Sequence, residues 1–134
     1  MEKTAKQIEQ DIFRIIKDSD LSIAITGEVY RSGMRPTGAT SEDAVVKFLS
    51  GIDEQEQSGV VIVNVYVNDI PLYGELVEDV PRVDELESVV NEVLSSLDDT
   101  EYLLEKDGTP HSFPAKGIKQ HFINVRLRYR RKTF

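Results

Sequence analysis

Apolar residues near the start of the chain recur at helical spacing. Ile8, Ile12, Ile15 and Ile16 fall at i, i+4, i+7 and i+8, and Phe13 widens the stripe. This predicts an amphipathic helix over residues 4–17, ended by the turn-forming run Lys17-Asp18-Ser19-Asp20. Residues 21–30 are rich in Ile and Val and read as a strand, with Gly27 a bulge or bend. Residues 31–40 hold two glycines and a proline and are expected to form a loop. A second strand is expected over 44–49, followed by a polar, acidic connector at 50–58. Residues 60–67 give the clearest strand: six of eight are Val or Ile, Tyr66 also favours a sheet, and Asn64 alone interrupts the apolar run. Such a strand belongs at the centre of a sheet, paired in a hairpin with 44–49.

Residues 68–81 read as a connector. Val83, Leu86, Val90, Val93, Leu94 and Leu97 then return to helical spacing, with Pro81 and Asp84, Glu85 and Glu87 suited to the start and Asp98-Asp99 to the end. A short strand is expected over 102–104 and a loop over 107–117, which carries two prolines and two glycines. Residues 120–130 alternate: Ile123, Val125, Leu127 and Tyr129 take one face, Asn124, Arg126, Arg128 and Arg130 the other. The order predicts an α+β fold, with a single mainly antiparallel sheet of four to five strands and two amphipathic helices packed on it. Residues 1–134 form one domain in this reading, with no repeat and no linker.

Composition changes this picture little, but charge does. The chain is 40% hydrophobic and 30% charged, as in ordinary globular proteins. Without cysteine it has no disulfide, thiolate nucleophile or cysteine-ligated metal. Its net charge is −8, yet residues 116–134 carry seven basic side chains and no acid, a local +7 against −15 elsewhere. Such asymmetry can steer self-association or contact with a polyanion. The first ten residues lack the apolar stretch of a signal peptide, and the apolar runs near 60–63 fall far short of the ~20 residues of a membrane helix. A cytoplasmic protein without membrane contact is expected.

Candidate chemistry is sparse. His111 and His121 lack metal-ligand spacing, and no G-x-S-x-G elbow occurs. Residues 33–40, with Arg31 and Arg35 alongside, are the nearest approach to a phosphate cradle, but the P-loop pattern is missing and Glu42-Asp43 follow. The acidic pairs Glu42-Asp43 and Asp98-Asp99 are neighbours in sequence, and neighbours on a strand point to opposite faces. No catalytic residue, metal site or cofactor is predicted. The distinctive feature is the ladder Arg126, Arg128 and Arg130. Like charges on one strand face must be solvated or matched by anions. Three environments satisfy that: water, acid from another copy (the 53–56 loop or Glu42-Asp43), or the wall of a passage for DNA.

The order of elements resembles the small tail-completion, or tail terminator, proteins of long-tailed bacteriophages and prophages. The resemblance rests on the helix through Ile8–Ile16, Gly27-Glu28-Val29-Tyr30, the loop at Arg35-Pro36, the strand Ala44-Val45-Val46, residues 60–67, the helix around Leu86–Leu97 and the alternating final strand. It implies a structural protein and not an enzyme: a homo-oligomeric ring, typically hexameric, that caps the tail tube, joins it to the head and is assembled into the virion. Arg126, Arg128, Arg130 and Arg131 would then face a neighbouring subunit or passing DNA, and the loop with Arg31, Met34 and Arg35 would contact tail tube or neck proteins. The acidic residues 50–58 match nothing in that pattern. From the residues alone, a small cytosolic α+β binding module for a protein partner or an anionic ligand explains the arginine face equally well.

Overall fold

Thr4 starts the first helix. Its hydroxyl accepts from the Gln7 amide (3.2 Å) while the Gln7 side chain accepts from the Thr4 amide (2.8 Å), a reciprocal cap. In the computed structural model, which describes residues 1–132, helix α1 (Ala5–Lys17) buries Ile8, Ile12 and Ile16 as the stripe requires. Helix α3 (Val80–Ser95) begins at Asp79, whose carboxylate accepts from the Arg82 amide, and buries Val83, Leu86, Val90 and Val93.

The strand expected over 21–30 is corrected. Leu21–Ala24 is a short helix, α2, and only Val29–Arg31 is a strand, β1. Leu21, Ile25 and Val29 are buried at intervals of four, whereas Ile23 is 80% exposed, so burial follows a helical period although Leu21, Ile23 and Ile25 alternate in sequence. Gly27 lies in the bend between the two. A Cβ there would stand 2.0 Å from Asp43 Oδ1, so only glycine lets the chain pass Asp43 this closely.

Strands β2 (Ala44–Asp53) and β3 (Gln57–Asn68) form the long hairpin, with an irregularity between Phe48 and Ser50. They absorb most of the acidic segment, leaving Glu54–Glu56 as its turn. After β3 comes a two-stranded ribbon, β4 (Ile70–Leu72) and β5 (Glu75–Val77), where a plain connector was expected. Strands β6 (Tyr102–Lys106), β7 (His111–Pro114) and β8 (Gln120–Arg131) complete the main sheet.

The main sheet has six strands in the order β1-β2-β3-β8-β6, with β7 also on β8, and it is mixed because β1 runs parallel to β2. The expected four to five strands and two helices thus become six strands, a separate ribbon and three helices. The short extra elements escape because β1, α2 and β7 hold three or four residues each, too few to show a period. Strand β8 is the hub, pairing with β3 on one side and with β6 and β7 on the other. The core joins all three helices to one face of the sheet: Val46, Val61, Val63, Val65 and Val67 meet Ile123, Val125, Leu127 and Tyr129.

Candidate functional site

The other face of the sheet is left open. None of its residues belongs to the core, and the cross-strand register arranges them in rows. One end is aromatic: Tyr66, Phe122 and Phe113 lie side by side, with ring centroids 5.7 and 5.8 Å apart. The next row is Val45, Asn64, Asn124 and His111, in which the Asn124 amide donates to Asn64 Oδ1 at 2.9 Å. Then come Lys47-Ile62-Arg126, Ser50-Val60-Arg128-Glu105 and Ile52-Ser58-Arg130-Leu103. Ile52, Leu103 and Phe113 are exposed here, apolar surface beside fixed positive charge.

The arginine ladder stands on this face as the alternation requires, with side chains 46–56% exposed. Anions from the same chain reach it. Arg126 and Arg128 share Asp107 at 3.5 and 3.1 Å, and Arg130 holds Glu56 at 2.8 Å. The hydrogen bond from Arg128 keeps the Asp107 carboxyl below its usual range, and the bond to Glu56 raises Arg130. Glu105, opposite Arg128 on β6, brings the carboxylates on this face to three against three guanidiniums, so Lys47, with no ion-pair partner among the described residues, leaves the face with positive charge over.

Arg131 does not share that position. It follows the ladder in sequence, so alternation turns it to the covered face, where it is 14% exposed and donates to Glu101 at 2.6 Å, Gln57 at 3.1 Å and the Met1 carbonyl at 2.5 Å. Burial pushes the Glu101 carboxyl up, but hydrogen bonds from Lys3 and Arg131 outweigh it and hold the group low. Arg131 fastens the N-terminal segment to the sheet.

The Arg31, Met34 and Arg35 trio also divides. Arg31 closes β1 and donates to Glu9 (3.3 Å) and the Lys6 carbonyl (3.0 Å) on α1. Arg35 is drawn inward: it donates to Asp43 (2.8 Å) and Gln120 (2.9 Å), with its guanidinium 4.0 Å from the Tyr66 ring centre. The loop is therefore pinned by Arg35 and is no phosphate cradle built on that side chain. Met34, 67% exposed, is the member of the trio on display.

Glu42 and Asp43 are both buried, so they are not acids offered to another copy. Asp43 answers Arg35 and also accepts from the Glu28 amide at 2.9 Å. Glu42 takes a two-pronged bond from Arg82, at 2.8 and 2.7 Å, which holds its carboxyl below the usual range and raises Arg82. Arg82 also donates to the Ala24 carbonyl at 2.8 Å, tying α3 to α2. Nothing in the spacing of residues 24, 42 and 82 announces this clasp.

A cleft of about 530 Å³ lies between the C-terminal ends of α1 and α3 and is acidic, lined by Asp18, Asp20, Asp98, Asp99 and Glu101. Beside it the Tyr102 hydroxyl donates to Asp11 at 2.7 Å, and burial with that bond pushes its pKa up. Among the described residues no three His, Asp or Glu side chains are grouped to hold a metal ion, and no helix is long and apolar enough to cross a membrane.

Local sequence gives little sign of the ribbon. Tyr73 and Gly74 both have positive φ, 51° and 82°, which turns β4 into β5 in two residues. The signal was Gly74 between Ile70, Leu72 and Leu76, Val77, muted because tyrosine is an unusual partner for such a turn. No protein-family model matches the chain, and no curated protein matches it in sequence.

Proposed function

We propose that the chain is a structural assembly protein of a phage or prophage tail, closing as a ring on the tail tube and joining it to the head. The observation that supports this reading best is the open sheet face, where exposed Ile52 and Leu103 flank Arg130 and where the three arginines with Lys47 outnumber Asp107, Glu56 and Glu105. A face of that kind suits a contact made again and again with copies of one surface, and fixed charge sets its register. Arg126, Arg128 and Arg130 meet the neighbouring subunit or the passing DNA, and Met34 presents the pinned loop to tube or neck proteins. The acidic character of the cleft between α1 and α3 weighs against a small anionic ligand there.

Light-scattering mass over a wide concentration range, at low and high salt, tests the reading. The expected species is a salt-sensitive hexamer, and it should fall to monomer when Arg126 and Arg128 are both changed to Glu. Incubation with tail tubes should then place the wild-type ring at the tube end in electron micrographs. A chain that stays monomeric in solution and also ignores tubes is no tail protein of this kind.

A further inference from the structure

The β4–β5 ribbon has the makings of an arm. Its strands pair with each other and with no strand of the main sheet among the described residues. Ile70, Leu72 and Leu76 are exposed on it, and Tyr73 at the tip is 98% exposed. A ribbon of two short strands is marginal by itself in water, and a tyrosine held at φ 51° is an uncommon conformation. An apolar tip kept in a strained turn has a use in what covers it.

Charge indicates the cover. Residues 69–79 contain four acids and no base. Asp69 is taken by His121, Glu78 by Ser112, and Asp79 caps α3. Glu75, beside the tip, is exposed and has no ion-pair partner among the described residues. The open sheet face offers the complement, apolar Val60 and Ile62 beside Lys47, which has no ion-pair partner among the described residues, and Arg126, whose 3.5 Å contact with Asp107 is shared with Arg128. The arm does not reach that row in its own chain. Each of its strands has three residues, about 10 Å, while Ile62 lies roughly 20 Å back along β3 from Asn68 at a ~3.4 Å rise.

We infer that the β4–β5 arm of one copy docks on the open sheet face of the next, with Leu72 and Tyr73 on Ile62 and Val60 and Glu75 at Lys47 or Arg126. The contact joins two different patches, so it runs head to tail and closes into a ring if its rotation allows. It rests on the self-association in the ring reading and not on the tail.

Position 73 supplies the test. A chain carrying Tyr73→benzoylphenylalanine, photolysed and digested, should crosslink to peptides of β3 or β8 in a second copy, identified by mixing light and heavy isotope-labelled chains. Glu75→Lys and Lys47→Glu should each weaken self-association about tenfold or more, as expected on losing a close interfacial charge pair, and together should recover most of it. Both side chains are exposed, so urea midpoints should not move. Crosslinks confined to one chain, or to a helix, overturn the docking, and so does assembly indifferent to Glu75→Lys and Tyr73→Ser. Failure of the tail reading looks different: arm-dependent oligomers that never bind tail tubes leave the docking intact. Conversely, rings that form on tubes at full strength with Tyr73→Ser leave the tail reading intact and remove the arm.

Discussion

One strand, β8, faces two environments. Ile123, Val125, Leu127 and Tyr129 lie at 0–1% exposure under the helices, while Arg126, Arg128 and Arg130 on the opposite face stand about half exposed. The ion pairs divide in the same way. On the covered side and at the rim, Arg82–Glu42 and Arg35–Asp43 are built into the packing with multiple hydrogen bonds. On the open side a single aspartate serves two arginines. Folding therefore dictates the first set of side chains and leaves the second free, so the chemistry of the open face calls for a reason other than stability.

The contrast can be broken most violently at the buried carboxylate. Asp43→Ala strands Arg35 in a mostly buried site and orphans the Glu28 amide, and should cost about 3–5 kcal/mol in urea unfolding. Leu127→Ala opens a cavity beneath β8 and should cost about 3 kcal/mol by the same measurement. Acid should expose the clasp next. Glu42 and Glu101 have folded-state pKa values below those of the unfolded chain, so their stabilisation is complete above the usual carboxylate range, near 4.5. It is lost as pH falls through the lower folded values. Arg82→Gln should flatten the fall of stability with acid over that window, and an unchanged pH profile would deny the clasp its role. The smallest effect on folding belongs to the open face: Arg128→Ala should leave the urea midpoint where it was, while the salt dependence of self-association changes.

These two faces were not equally legible in sequence. Strict alternation from Gln120 to Arg130 gave both sides of β8, and the Ile8–Ile16 stripe gave α1, because each pattern runs long enough to show its period. The ladder was visible, but its partners were not, since Asp107 and Glu56 reach Arg128 and Arg130 only through the pairing of distant strands. Arg131 was misplaced by extending a run of basic residues past the parity that governs it. Glu42 and Asp43 read as acids open to another copy because burial by Arg82 and Arg35 leaves no mark in local sequence. The arm read as a connector because apolar residues on a three-residue strand have no room to declare a period.

The hub position of β8 also sets an order of events at the ribosome. Strand β3 is complete at Asn68, yet the strand that shields its outer edge does not begin until Gln120. While the residues between are being added, the nascent chain presents Val-Val-Ile-Val-Asn-Val-Tyr-Val with one side paired to β2 and the other bare, a ready template for another chain. The sheet cannot close before β8 arrives, so this protein spends its synthesis with its stickiest segment uncovered.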